Sequence, residues 1–214
     1  MQTDKVRLSG DHEGRREALK QVEKFSAYLD LSKKETMRIQ LLAEETLGMV
    51  ETIAGSFVAD FYLESTEDSK CRIHLMARTE MDSQKKQELI AASSKKQNSA
   101  RKGFMGKIRD IIENGLYSVD EVGALQTEYG GGSLMYANMG MMDPEMLSAQ
   151  SAVYAWSLKH YKDSLEREPG KKEEVSEAWD ELEKSIVASI ADDVSVSVRG
   201  DMVELTIEKK MVRS

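Results

Sequence analysis

Apolar residues recur at helical spacing in two segments near the start of the chain. The first segment spans residues 14–29 and the second spans residues 32–53, with only two residues between them. Ser32 followed three residues later by Glu35 is a capping-box pattern, which marks a helix start. The second segment carries one apolar stripe: Met37, Leu41, Leu42, Met49, Val50 and Ile53. Because the connection is short, the pattern predicts two helices that pack antiparallel.

Alternation of apolar and polar residues follows the second helix and returns at the end of the chain. Residues 57–64 and 71–78 flank a polar turn, and residues 194–198 and 203–207 flank Gly200-Asp201. A period of two is typical of half-buried antiparallel strands, and a two-residue turn joins hairpin strands directly. The pattern therefore predicts two hairpins and a short edge strand at residues 5–8. His74 lies on the polar side of its strand, where we interpret it as a solvated residue.

The middle of the chain follows neither pattern for long. Helices are predicted over residues 82–114 and over residues 145–168, the latter on a stripe of Leu147, Tyr154, Leu158, Tyr161 and Leu165. The first of these helices holds the basic region of the chain: Lys85, Lys86, Lys95, Lys96, Arg101, Lys102, Lys107 and Arg109. We interpret this basic face as solvated, with docking of phosphates or of an acidic partner as the functional alternative.

A further helix is predicted at residues 173–190, on a stripe of Val175, Trp179, Leu182, Ile186 and Ile190. The order of elements predicts an α+β fold, a two-layer α/β sandwich in which helices cover one face of a mixed, mostly antiparallel sheet. We treat residues 1–214 as a single domain with a core of residues 14–83 and 173–211. Residues 84–172 form a helical insertion, whose glycine- and methionine-rich loop spans residues 115–144.

Composition narrows the classes of function. The 214 residues carry a net charge of −8, which disfavours wholesale binding of nucleic acid or of an anionic membrane. No apolar run approaches the ~20 residues that a membrane helix needs. The single cysteine, Cys71, excludes an intrachain disulfide and fits the reducing cytoplasm. Because Cys71 falls in a predicted strand, we interpret it as a small buried thiol and not as a nucleophile.

The sequence AEETLG at residues 43–48 and the predicted order of helices and strands together resemble those of a known protein family. The chain resembles the GHKL (Bergerat-fold) ATPase domain, most closely its small form in anti-sigma serine kinases and histidine-kinase catalytic domains. In that family a helix with E-x-x-x-N precedes a hairpin that ends in D-x-G-x-G, and a glycine-rich lid, a helix and a closing hairpin follow. The resemblance covers residues 14–83 and 173–211, and the middle is much longer than the family's lid.

The resemblance implies positions for the functional residues of the family. Its glutamate, the general base, falls on Glu44. Its asparagine, which holds Mg²⁺ against the phosphates, falls on Gly48, and glycine has no side chain to bind a metal. Its aspartate, which hydrogen-bonds the adenine amino group, falls on Thr79. The two glycines of the D-x-G-x-G motif fall on Met81 and Ser83.

These replacements remove most of what nucleotide chemistry requires. A slip of register would let Asp82 take the place of the adenine aspartate, but the glycines would still be missing. We therefore expect a regulatory or signalling protein that keeps the histidine-kinase-like ATPase fold and acts as a non-catalytic binding module. In this interpretation Glu44 is a vestigial base, no metal or other cofactor is bound, and the partner is a protein in the cytoplasm.

Two other functions stay open at this point. The first is a divergent but active ATP-binding protein or anti-sigma-type serine kinase, which would use ATP and Mg²⁺, Glu44 as base and Gly130–Gly132 as a remodelled lid. The second, a nucleic-acid-binding module at residues 95–109, is the weakest, because the chain is acidic and no aromatic residues interleave with the basic ones. Anti-sigma relatives commonly pair, so the resemblance also leaves a homodimer open.

Overall fold

The computed structural model describes residues 1–9, 12–53, 57–79, 153–167, 172–199 and 202–212, together with Phe104, Gly106, Ile108 and Ile112. The first half of the chain contains β1 (Val6–Leu8), α1 (His12–Tyr28), α2 (Lys33–Ile53), β2 (Phe57–Ser65) and β3 (Lys70–Thr79). The second half contains β4 (Val153–Ser157), α3 (Leu158–Arg167), α4 (Lys172–Lys184), α5 (Ile186–Ile190), β5 (Asp193–Arg199) and β6 (Met202–Lys210). The predicted edge strand, both predicted hairpins and the first two predicted helices are present.

The six strands form one sheet in the order β1-β2-β3-β6-β5-β4, and every neighbouring pair is antiparallel. One register row crosses all six strands and is apolar throughout: Val6, Phe61, Leu75, Leu205, Val196 and Trp156. These side chains share one buried core with residues of the helices. The predicted α+β sandwich, with helices on one face of the sheet, is therefore confirmed.

Helices α1 and α2 are joined by a short connection and pack against each other. Asp30 takes the left-handed backbone conformation with φ of 50°, and the Leu31 amide donates to the Ser26 carbonyl oxygen at 3.1 Å. Ala18, Val22 and Phe25 of α1 are buried. The inner face of α2 is formed by Ile39, Leu42, Ala43, Thr46 and Leu47, which are all buried.

The apolar stripe predicted for α2 is partly wrong. Leu42 lies on the inner face, but Met37 is 55% exposed. Ile39 takes the buried position in this turn, because the inner face runs through residues 35, 39, 42, 43 and 46. Apolar side chains on several sides of the helix allowed more than one stripe in the sequence, and packing on the sheet selects one of them.

Of the two hydrogen bonds that make up a capping box, one is present among the described residues at the start of α2. The Glu35 amide donates to Ser32 Oγ at 3.3 Å, as expected of an N-cap serine. The Glu35 carboxylate is buried, and its Oε1 accepts from Arg38 Nη1 at 2.5 Å. In the described part of the chain, Glu35 Oε2 has no hydrogen-bond partner. The carboxylate thus pairs with an arginine one turn further along the helix.

The prediction of a helix over residues 145–168 is wrong for residues 153–157. Val153–Ser157 is strand β4, which includes Tyr154 and pairs with β5 at the sheet edge. The helix α3 begins only at Leu158, where the His160 amide donates to Ser157 Oγ at 3.3 Å. Val, Tyr and Trp favour strands, and a serine is a preferred N-cap, so the strand and the helix start can both be explained locally.

The helix predicted at residues 173–190 is broken into two helices. Ser185 has extended backbone angles, φ −86° and ψ 123°, and its Oγ accepts from the Ala188 amide at 3.2 Å. This N-cap starts α5 in a new direction, which buries Val187 and Ala188 and leaves Ile186 47% exposed. Ile186 was predicted on the apolar stripe, and that prediction is wrong because the break changes the helix face.

Part of the long middle helix is also described. Phe104, Ile108 and Ile112 are helical and buried, which agrees with the helical spacing predicted for this part of the chain. They belong to the same core as the sheet and the other helices. The remaining predictions for residues 80–103 and 113–152 lie outside the described residues, as do those for Gly55 and for the turn at Gly200-Asp201.

Candidate functional site

Two positions implied by the family resemblance lie one turn apart on α2. Glu44 is half-buried, and one carboxylate oxygen accepts from Gln40 Nε2 at 3.2 Å. At Gly48, an added β-carbon would meet no atom within 4 Å beyond the neighbouring backbone of its own helix. Thr79 is the last residue of β3, paired with Phe57 of β2. Met81, Asp82 and Ser83 lie outside the described residues.

A cavity of about 740 Å³ lies between α2, α4 and α5. Its α2 wall is formed by Glu45, the residue next to the predicted base. Its floor includes the buried Phe104 and Val187, and Ile186 lies on its rim. We call this cavity the α4–α5 groove. Its volume falls within the range of about 300–1,000 Å³ that is usual for ligand sites.

Helix α4 supplies the charged wall of the α4–α5 groove. Glu177, Asp180, Glu181 and Lys184 all line it. Their spacing of three, four and seven residues places them on one face of a helix. The break at Ser185 then turns the chain into α5, so that apolar residues follow the charged ones along the same wall.

The described lining of the groove is mostly acidic. Among the described residues that line it, four carboxylates face one ammonium group, that of Lys184. A polyphosphate would therefore meet a field of its own sign at this wall. Among the residues that the structure describes, no group of three or more His, Cys, Asp or Glu side chains is arranged to hold a metal ion. The groove is thus suited to cationic groups and apolar side chains.

A second cavity, of about 760 Å³, lies between β1 and the start of α1 and has a different character. Arg7, Arg16 and Lys20 line it together with Glu13 and Glu17. Its charges are largely paired locally, since Lys20 contacts Glu17 at 3.5 Å and Arg7 contacts Asp60 at 3.2 Å. Paired charges leave little net field for a ligand.

The opposite face of the sheet carries a polar cluster around His74. Its ring stacks on Tyr62 with centroids 4.5 Å apart, and its Nε2 and Nδ1 lie 3.3 Å from Glu64 Oε2 and from Thr206 Oγ1. Burial lowers the pKa of His74, although the contact with Glu64 opposes this. Burial, together with the Glu204 and Glu64 charges, raises the pKa of Tyr62. The predicted position of His74 on the polar face is confirmed. Its interpretation as a solvated residue is wrong, because its side chain is only 12% exposed.

The single cysteine does not contribute a reactive group. Cys71 lies on the apolar face of β3 and is fully buried. Burial raises the pKa of its thiol to about 12, so the thiolate is scarce at neutral pH. The interpretation of Cys71 as a small buried core residue is confirmed.

Comparisons with known proteins found no match: no family model, curated protein or solved structure corresponds to this chain. Among the described residues, no helix is long and apolar enough to cross a membrane. The candidate site is therefore supported only by the geometry of its residues. Sequence reasoning singled out Glu44, gave its neighbour Glu45 no function, and did not identify the charged face of α4. The spacing of residues 177, 180, 181 and 184 was the signal that could have revealed that face.

Proposed function

We propose that this protein is a regulatory or signalling protein, a non-catalytic binding module built on a histidine-kinase-like ATPase fold whose ATP and magnesium motifs have eroded. It acts in the cytoplasm on a protein partner, in keeping with its single reduced cysteine. The observation that carries the proposal is the open position at Gly48. Where the resemblance places the magnesium ligand, the helix offers free space and no side chain.

The chemistry of magnesium gives this observation its weight. Mg²⁺ is usually held by one or two protein groups together with substrate phosphates and water, so losing one protein ligand removes a large share of the site. Phosphoryl transfer depends on that metal to neutralise the developing charge. The acidic α4–α5 groove beside α2 adds to the argument, because its carboxylates would repel a triphosphate.

The test is thermal unfolding with ATP or ADP, with and without Mg²⁺. A ligand present at a concentration 100 times its Kd adds about 2.7 kcal/mol to the free energy of unfolding. Each kcal/mol raises the Tm of a chain of this size by about 2–4 °C. We expect no shift with millimolar nucleotide. A shift that depends on Mg²⁺ would contradict the proposal. Gly48→Asn is the matched variant, since asparagine fits the open position and is no worse a helix former than glycine.

A divergent active kinase is the second candidate. It is favoured by the half-buried position of Glu44 and by its hydrogen bond from Gln40, which holds the carboxylate in place. Glu44→Gln keeps the shape of the side chain and removes its basicity. If the chain hydrolyses ATP or phosphorylates a partner, this change should abolish turnover without changing the Tm. Glu23→Gln on α1, an exposed residue that lines neither cavity, serves as the control.

A further inference from the structure

The α4–α5 groove combines an apolar floor with an open rim. Phe104 and Val187 on the floor are 2% and 0% exposed, whereas Glu177, Asp180 and Ile186 on the rim are exposed. An open rim leaves room for a segment of another polypeptide chain. An enclosed cavity would instead favour a small molecule.

Three of the four described carboxylates of the groove lack a cationic partner among the described residues. In the part of the chain that the structure describes, Glu45, Glu177 and Asp180 form no ion pair. Some acidic residues elsewhere do, as in Glu17 with Lys20 at 3.5 Å and Glu208 with Lys70 at 2.8 Å. Three unpaired carboxylates around one groove leave a negative field that a cationic partner can neutralise.

Ile186 adds an apolar contact point at the same place. It is 47% exposed, although Val187 and Ala188, the next residues of α5, are buried. A large apolar side chain on a rim, next to an apolar floor, is typical of a surface that a partner covers. The groove therefore offers apolar contact and negative charge side by side.

We propose that the α4–α5 groove docks a basic amphipathic segment of a partner protein. One apolar side chain of the segment packs against Phe104, Val187 and Ile186, and its lysine or arginine side chains face Glu45, Glu177 and Asp180. This inference rests on the proposed function and names the chemistry of its partner. Helix-in-groove recognition provides the physical precedent, since an apolar face gives affinity and flanking charges give orientation.

The experiment begins with a library of random peptides about 12 residues long, displayed on phage and selected against the immobilised full chain, a length that covers a short helix face. We expect enriched sequences with net positive charge and at least one large apolar residue. Each enriched peptide is then synthesised with a fluorescent label, and its Kd is measured by anisotropy. Binding should weaken as NaCl rises from about 0.05 to about 0.5 M, because salt screens surface charges.

Charge reversal in the groove is the decisive variant. Glu177→Lys with Asp180→Lys changes two exposed side chains of α4 and should weaken binding at least tenfold, about 1.4 kcal/mol. Ile186→Ser should weaken it further. Glu23→Lys on α1, an exposed acidic residue outside the groove, is the matched control and should leave the Kd unchanged. Equal Tm values would show that all variants fold.

Several outcomes would overturn the inference. The first is a selection that enriches no basic sequences, and the second is unchanged binding of the peptide to the double charge-reversal variant. The third is full displacement of the peptide by micromolar spermine, which would assign the groove to small organic cations. Self-association that the charge reversal abolishes would assign it to a second copy of the chain. A nucleotide-induced Tm shift that survives the charge reversal would contradict only the proposed function, so the two failures can be told apart.

Discussion

The two faces of the sheet are built from the same strands and differ in almost every physical respect. On the inner face, which packs against the helices, the middle strands contribute residues such as Phe61, Leu75 and Leu205, all nearly inaccessible. On the outer face, one register row contains Tyr62, His74 and Thr206. These residues are half-buried and contact one another through ring stacking and hydrogen bonds.

This difference shows where the stability of the fold resides. Burial of apolar area contributes about 25 cal/mol per Å², so the inner face carries most of the favourable free energy. Contacts on the outer face are ion pairs and polar pairs at the surface, such as Arg72 with Glu208 at 3.0 Å, which contribute about 0–1 kcal/mol each. The outer face can therefore change its residues at low cost, whereas the inner face cannot.

The largest expected effect comes from the inner face. Leu205→Ala removes a fully buried side chain at the centre of the sheet and should lower the free energy of unfolding by about 2–5 kcal/mol. Thr206→Ala, the next residue of the same strand, is the control and should cost no more than about 1 kcal/mol. Urea unfolding of both variants gives the comparison. Equal losses would contradict the division between the two faces.

A smaller effect is expected from the ring stack on the outer face. Tyr62 and His74 lie nearly parallel, with an angle of 9° between their planes. A double-mutant cycle with Tyr62→Ala and His74→Ala should give a coupling energy of about 0.5–1.5 kcal/mol. Lys5, whose Nζ lies 5.1 Å from the Tyr62 ring centroid, should change this coupling little when it is replaced by methionine. A coupling near zero would mean that the stack does not stabilise the fold.

The ion pair of Arg72 with Glu208 should contribute less still. Arg72→Ala should lower the free energy of unfolding by about 0.2–1 kcal/mol, because both side chains are partly exposed to water. The loss should shrink in about 1 M NaCl, where the Debye length is about 3 Å. A loss that high salt leaves unchanged would indicate that packing of the arginine stem, and not its charge, is responsible.

The smallest expected effect is a change in the free energy of unfolding with pH. Burial, followed by the Arg72 charge, lowers the pKa of His74 below its ordinary value of 6.5, while Glu64 and Glu204 act in the opposite direction. The unfolded chain therefore binds a proton at higher pH than the folded chain. The contribution of His74 to stability is complete above pH 6.5 and is lost as the pH falls through the folded-state pKa.

Urea unfolding between about pH 5 and pH 7 measures this slope, since carboxylates titrate mainly below that window. His74→Gln should flatten the loss of stability at the acidic end. His12→Gln replaces an exposed histidine of α1 and should leave the slope unchanged. A slope that survives in His74→Gln would assign the pH dependence to other groups.

The candidate site was predictable only in part. The sequence singled out Glu44 and Gly48 of α2 through the family resemblance, and the groove is lined by their neighbour Glu45. It did not lead to the groove, which needs Glu45 of α2 and Glu177 of α4 on opposite walls. Those residues are more than 130 positions apart, and local spacing carries no information about such a contact.

The sequence by itself determined the period of each regular element: two in β2, β3, β5 and β6, and helical in α1 and α2. Alternation of apolar residues fixes which side of a strand is buried, since a shift by one residue would place every side chain on the wrong face. Tertiary structure selected the rest from conformations that the local sequence also allows: the strand β4, the break at Ser185 and the exposure of Met37. In each case several local conformations suit the residues, and the one that packs against the sheet is favoured.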